Sequence, residues 1–362
     1  MSDDSIRTAF DAPQRELGCE FMEWEGWQWP NHFGDPAAEH RAVREGVGIW
    51  DESPLRKWDF RGSDALTAAD RIFTNDMLSL EVGQIRYGPF CDAAGKMVGD
   101  GTVFKFDEAH AWVITALDSD LDHFRDVVSG LDVAIEPLTA ELPHVQLQGP
   151  GSRDLLAGLC EDAAALRYFR FLPAQVRVGD VSAWVSRTGY SGELGYEIFC
   201  TPGDATALWD ALTAAGATPY GLAAVETLRI ESGLIFIGYD YFQHETDPFD
   251  VSLDKVIRLD TGDFHGKEAL AQTAQAPPRR MVTLVLDGSD VPEYGAAVTA
   301  ENTPAGTLTS PCESPTIGKV IGLGVLDTEF TEPGTRLEVA GAGAATVESL
   351  PIYDIDKRRP RD

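Results

Sequence analysis

Two carboxylates stand out among the residues whose type and setting could support chemistry. Asp100 lies in the run Gly99-Asp100-Gly101. Glu197 sits in a strand-like pattern that is otherwise apolar, with Tyr196 before it and Ile198 and Phe199 after it. Taken alone, an Asp between glycines reads as a turn cap, and a single Glu on a strand as a solvent-facing side chain. The spacing of other residues supports no competing chemistry. The five cysteines (Cys19, Cys91, Cys160, Cys200 and Cys312) are odd in number, far apart and without a CxxC, which argues against a disulfide framework and a zinc site. The seven histidines show neither HxxxH nor HExxH spacing, so no metal centre is expected.

The elements that must position these carboxylates can be read coarsely. Residues 36–46 form a helix ended by Gly46, and 55–61 a strand. Gly62-Ser63-Asp64 opens a helix through Ile72. The pattern from Gln84 to Phe106 and from His110 to Thr115 is strand-like, with a turn around Ala93–Gly95, and Asp118 to Ser129 is an amphipathic helix. A second series follows: a strand at 145–147, a helix from Ser152 to Leu159, strands at 175–187 and 195–199, a helix from Asp204 to Ala214, and a helical run 221–233 closed by Gly233. From residue 279 onward the chain consists of short β-branched runs broken by Gly and Pro, the texture of a small β-barrel. The fold class is α+β, with two ferredoxin-like, split βαβ units and a C-terminal barrel. The expected domains are 1–140, 141–278 and 279–362, with pieces of the first two able to interleave.

Length and charge bound the partners. The 362 residues are 43% hydrophobic and carry 59 acids against 29 bases, a formal net charge of -30. A surface this negative repels phosphate backbones and anionic lipids, so neither nucleic acid nor membrane is an expected partner. The acids are scattered, which fits solubility or a salty cytoplasm better than a steering field. No apolar run approaches the ~20 residues of a membrane span. The opening segment MSDDSIRTAFD is acidic and unlike a signal peptide, and a cytoplasmic location is expected.

Several segments, in order along nearly the whole chain, resemble the aminomethyltransferase family (the glycine-cleavage T-protein and its demethylase relatives). They are Gly26-Trp27-Gln28-Trp29-Pro30, Glu39-His40-Arg41-Ala42-Val43-Arg44, Thr74-Asn75-Asp76, Gln148-Gly149-Pro150, the SRTGYTGExGFE-like run from Ser186 to Glu197, Leu228-Arg229-Ile230-Glu231, Gly266-Lys267-Glu268-Ala269-Leu270, and Ser314-Pro315-Thr316-Ile317-Gly318-Lys319. The resemblance implies a three-domain, cloverleaf-like arrangement around a channel that holds tetrahydrofolate. It also implies an enzyme that transfers a one-carbon unit to a folate nitrogen.

Residue by residue, the resemblance places the catalytic carboxylate at Asp100, the second position of the family's GGxxDD, with Gly99 replacing the first aspartate. A carboxylate there would orient folate's weakly basic amines and stabilise positive charge during alkylation. Glu197 would accept two adjacent N–H donors of the pterin. Tyr190 and Tyr87 are candidates to bound the pterin or to belong to the core, and Arg187 and Arg229 to supply positive charge for the folate tail or to pair with acids such as Glu231. Trp27 and Trp29 would pack the N-terminal segment against the channel wall. Trp27, Trp50 and Tyr241 are the aromatics expected near the donor.

Departures from the T-protein pattern bear on the donor. Its GARD segment reads Ala223-Ala224-Val225-Glu226, so a folate-tail arginine is replaced by Val225. Its FDVSHM reads Trp50-Asp51-Glu52-Ser53-Pro54-Leu55 and lacks the histidine. The WDxSPL form resembles branches that demethylate small N-, S- or O-methylated metabolites, which points to a small methylated partner and 5-methyltetrahydrofolate as product. Aminomethyl transfer from a lipoylated H-protein is the alternative, since Asp100 is kept. A non-catalytic folate-binding relative is the remaining reading; its cysteine motif is missing from Gly238 to Glu245.

Overall fold

The computed structural model describes residues 5–362; residues 1–4 of the acidic opening segment lie outside them. The chain folds as two sheets and a barrel. The first sheet is antiparallel, in the order Ile85–Cys91, Met97–Asp107, His110–Thr115, Arg56–Arg61, Ala134–Pro137. Helices Ala65–Ile72 and Asp120–Val127 cover one face, burying Phe60, Phe73, Phe90, Val103, Val113 and Phe124. Met97–Asp107 carries a register shift opposite Phe90 and Cys91, and beyond it the side chains alternate. Val103 joins the helix-covered core, while Phe104 turns to the opposite face toward the second sheet. Asp100 shares the parity of Phe104, so it also leaves the helix-covered side.

The second sheet runs Val176–Val178, Val181–Ser186, Gly195–Phe199, His144–Gln148, Gly48–Asp51, Thr218–Pro219. Its core includes Val145, Leu147, Tyr196, Ile198, Leu208 and Trp209. Gly48–Asp51 lies antiparallel to His144–Gln148, with Trp50 opposite Gln146. The N-terminal segment therefore completes the sheet that carries Glu197. Phe104, Trp112, Phe171 and Phe199 pack between the two sheets.

From residue 279 the six strands Arg279–Leu286, Lys319–Asp327, Thr303–Ser314, Ala296–Ala300, Arg336–Val339 and Gly343–Glu348 close into a barrel. A further core joins it to the first sheet through Cys91, Met97, Tyr241, Phe249, Leu270, Met281 and Ile321.

Several local features differ from the sequence reading. The run 175–187 is a hairpin of two strands that turns at Gly179, whose φ is +59°. The helix opening at Ser152 stops at Ala157, because Gly158 follows. Residues Glu20–Trp24 and Trp27–His32, not read as strands, form a hairpin around Glu25 and Gly26, both with positive φ. The helix expected over 36–46 spans Pro36–Glu45. Asp35 accepts from the Ala38 N–H and Pro36 opens the first turn.

Candidate active site

Asp100 occupies the centre of a hydrogen-bonded triad. Tyr87, on the neighbouring strand, donates its hydroxyl to Oδ2 at 2.8 Å. Tyr241, from the segment that joins the first sheet to the barrel, donates to Oδ1. Burial raises the Asp100 carboxyl above its usual range, while the bonds from Tyr241 and Tyr87 pull it back. Both phenols are pushed well above their ordinary values by burial and by the Asp100 charge, so they remain donors. Asp100 and Tyr87 keep some exposure, whereas Tyr241 has none.

Glu197 stands on the second sheet between Ser186 and Gln146, its direct cross-strand partners. Burial raises its carboxyl to about 7, against the opposing pull of Thr188, Lys57 and Ser186. Ser186 Oγ lies 3.5 Å from Oε2 and 2.6 Å from Thr188 Oγ1. The carboxylate is only half-buried and has acceptor capacity beyond these contacts.

The turn after Ser186 is shaped by Gln148. Its Nε2 donates to the Thr188 carbonyl at 3.1 Å, and its Oε1 accepts from Ser191 Oγ at 2.6 Å. A Cβ on either Gly189 or Gly195 would come within 2.2 Å of this amide. The glycines of the signature therefore make room for a buried glutamine that ties the turn to the sheet. Tyr190, at the end of the turn, donates its backbone N–H to Gln146 Oε1 at 3.2 Å and its hydroxyl to the Ile235 carbonyl. It packs against the buried cluster that includes Trp29, Trp50 and Leu228.

The other expected residues lie elsewhere. Arg187 leaves the turn on the opposite side, and its guanidinium donates to the carbonyls of Leu166 and Pro360. Arg229 is fully buried between Asp240 and Glu226 and also donates to Ser310 Oγ at 2.8 Å. Glu231, the acid proposed to pair with it, is taken by Arg44 and His40. Arg229 is thus paired internally with acids, the second of its two expected roles, and Arg187 is buried against backbone carbonyls. Trp50 is buried against Trp29, at 5.0 Å between ring centroids, and near Tyr220. It therefore supports the sheet and has no surface to offer a donor. Trp29 donates to the Asp51 carbonyl at 2.7 Å. Trp27 is half-buried on the hairpin opposite Trp24, and Tyr241 bonds to Asp100.

Sequence reasoning missed Glu52, Lys57 and Gln146. Gln146 Nε2 donates to Glu52 Oε2 at 2.6 Å, and Lys57 is fully buried. In the sequence Glu52 and Lys57 are ordinary polar residues in a charged stretch, and Gln146 one polar position of a short strand. Their burial follows from the pairing of Gly48–Asp51 with a strand almost a hundred residues away, which no local pattern announces.

The spare acceptor capacity of Glu197 and Asp100 matches the chemistry of a ligand edge that carries adjacent N–H donors, as a reduced pterin does. Among the described residues no group of three His, Cys, Asp or Glu side chains is arranged to hold a metal ion, and no helix is long and apolar enough to cross a membrane.

Comparison with known proteins agrees with this geometry. Residues 10–261 match the GCVT N-terminal domain, and residues 279–354 match the glycine cleavage T-protein C-terminal barrel domain. A trimethylamine-oxide aldolase from Ruegeria pomeroyi is 37% identical over 94% of this chain, which spans only 46% of that protein's length. An aminomethyltransferase from Streptomyces avermitilis is 34% identical over 98% of this chain and 97% of its own. A probable aminomethyltransferase from Halobacterium salinarum is 36% identical over 94% and 96%. The structure of glycine cleavage system aminomethyltransferase T from Bartonella henselae shares the fold, with a TM-score of 0.87 at 24% identity over 96% of this chain and 98% of that one. With both of its domains matched and full-length relatives above 30% identity, this chain belongs to the glycine cleavage T-protein family of tetrahydrofolate-dependent one-carbon transferases.

Proposed function

We propose that the protein removes a methyl-derived carbon from a small N-, S- or O-methylated metabolite and passes it to tetrahydrofolate, giving 5-methyltetrahydrofolate. The observation that carries this reading is the Asp100 carboxylate, held at both oxygens by Tyr87 and Tyr241 while remaining open on one side. Bound tetrahydrofolate supplies the accepting nitrogen. Glu197 binds the pterin edge and fixes its register. As the carbon–nitrogen bond forms, the methyl–heteroatom bond breaks and its electron pair leaves on the heteroatom. Asp100 stabilises the positive charge on the folate nitrogen until that nitrogen releases its proton, an effect strengthened by the low local dielectric. The two phenols hold the carboxylate in place, so it need not reorganise when that charge appears. The replacement of the folate-tail arginine by buried Val225 and the likeness to a trimethylamine-oxide aldolase both support a small methylated donor.

A second reading is aminomethyl transfer in glycine cleavage, with 5,10-methylenetetrahydrofolate as product and a lipoylated H-protein as donor. Asp100 and the end-to-end match with aminomethyltransferases favour it. Incubation with tetrahydrofolate and a panel of methylated amines, amine oxides, sulfonium compounds and methyl ethers, read by mass spectrometry of the folate product, decides between them. 5-Methylfolate from a free metabolite supports the first reading. Turnover only with an aminomethyl-lipoyl carrier supports the second.

A further inference from the structure

A cavity of about 490 Å³ opens between the two sheets, away from Asp100. Its volume falls within the roughly 300–1,000 Å³ of small-molecule sites. The first sheet supplies Asp59, Phe106, His110 and Trp112 to its lining, and the second supplies Trp184. Asp107, also in the lining, ends the strand that carries Asp100, seven residues or about 23 Å of extended chain further on. Trp184 is the cross-strand partner of Phe199, which packs against Phe104 and Trp112 and lies two residues beyond Glu197. The cavity shares no lining residue with Asp100, Glu197 or the tyrosines beside them.

Its walls are aromatic. Trp112 meets Phe106 edge to face at 4.5 Å between ring centroids and Trp184 at 5.1 Å, and His110 stacks on Phe106 at 4.4 Å. Indole and phenyl faces attract cations. A carboxylate is set among these rings. Asp59, only 9% exposed, lies 2.7 Å from His110 Nε2 through one oxygen and accepts from Arg61 Nε at 2.6 Å through the other. Burial works against its charge, but the bonds from His110 and Arg61 outweigh it and hold the carboxyl below its usual range. Each oxygen of a carboxylate has room for more than one donor. Asp107 and Glu141, both exposed, add two more acids. Among the lining residues three carboxylates thus face one guanidinium, that of Arg61, and the chain's net charge of -30 adds to this negative field. An anion is repelled here. A cation with an apolar body satisfies the rings and the acids together.

We propose that this cavity is a second binding site, separate from the one around Asp100 and Glu197, for a small organic ammonium ion. The rings of Phe106, Trp112 and Trp184 hold its apolar part, and Asp59, Asp107 and Glu141 balance its charge. Because the lining comes from both sheets, an occupant touches both and strengthens their junction. Binding therefore raises thermal stability.

The probe is benzyltrimethylammonium, with benzyl alcohol as its neutral counterpart and benzoate as its anionic one. Titration calorimetry on the full chain is expected to show saturable binding of the cation, about tenfold tighter than benzyl alcohol, and no binding of benzoate. Trp184→Leu removes one ring and weakens the cation about tenfold. Glu141→Lys, a change on an exposed side chain, weakens it about threefold, and added salt shrinks that difference. Asp100→Asn leaves the affinity unchanged. The thermal midpoint of the unaltered protein rises with the concentration of the cation, and that of Trp184→Leu rises less. Should Trp184→Leu fail to fold, Glu141→Lys and the two uncharged or anionic counterparts still decide the matter. No binding of the cation, or equal affinity for all three probes, overturns the proposal. So does binding that is lost in Asp100→Asn and kept in Trp184→Leu, because the cation then sits beside Asp100.

Discussion

Tyr241 reaches back across 141 positions of sequence to place its hydroxyl proton on Asp100. The contact joins the segment leading into the barrel to the strand Met97–Asp107 of the first sheet. The Asp100 carboxylate therefore has both of its phenol donors only when both parts are assembled. Asp100→Asn keeps the shape and the neighbours but removes the charge. Turnover is expected to fall by roughly 10²- to 10⁴-fold with folate affinity nearly unchanged. Single-turnover rates beside calorimetric binding separate the two quantities. Unchanged turnover would remove Asp100 from the mechanism.

Tyr241→Phe and Tyr87→Phe each remove one donor that opposes the burial-driven rise of the Asp100 carboxyl. Without that donor the carboxyl is protonated at a higher pH, so the acid limb of the kcat profile moves upward. A hydrogen bond to a charged group is worth about 1.5–3 kcal/mol, or one to two pH units. An unmoved acid limb in both variants shows that Asp100 ionisation does not control the rate.

At Gly195 an added Cβ would lie 2.2 Å from Gln148 Nε2. The obstacle is the end of a side chain, but that end is buried and holds Thr188 and Ser191. Gly195→Ala is expected to destabilise the protein by about 1–3 kcal/mol and to raise KM for folate. Combining it with Gln148→Ala frees the space, so the double variant loses less stability than the sum of the two singles. Denaturant titration of the four proteins measures the coupling, and strict additivity argues against this clash.

Glu231 sets a limit on acid tolerance. Burial alone would raise its carboxyl, but the His40 hydrogen bond and the Arg44 charge outweigh that and hold it at about 2. Because the folded value lies below the unfolded one, its stabilisation is complete above about pH 4.5 and fades as pH falls toward 2, amounting to about 3 kcal/mol. Glu231→Gln flattens that part of the stability curve. Equal slopes for variant and parent below pH 4.5 would show that the acid loss arises elsewhere.

Much of this was legible before the structure, in unequal ways. The barrel announced itself through short β-branched runs, and Asp100 and Glu197 through motifs that survive in order. For Arg187 and Arg229 two readings stood open, a cation for the folate tail or an internal partner, because a sequence shows a cation but not the carbonyls or acids around it. The buried set around Glu52 and Lys57 was invisible for a related reason. WDESPLRK looks like a solvated stretch until residues 48–51 are inserted beside 144–148. The N-terminal hairpin was missed because its turn depends on Glu25 adopting a positive φ, which residue type alone does not signal.

Arg44 draws its partners from far along the chain: its guanidinium donates to Glu193 and Glu231, and its backbone carbonyl accepts from Arg359, 315 positions later. During synthesis this arginine emerges early and waits, its counter-charges not yet made. Local structure can form in that interval, but the junction cannot close until Arg359, 315 positions further on, has left the ribosome. Such distant closure makes for slow maturation with sticky half-built species, so recombinant yield should respond to growth temperature and chaperone supply more than to codon choice.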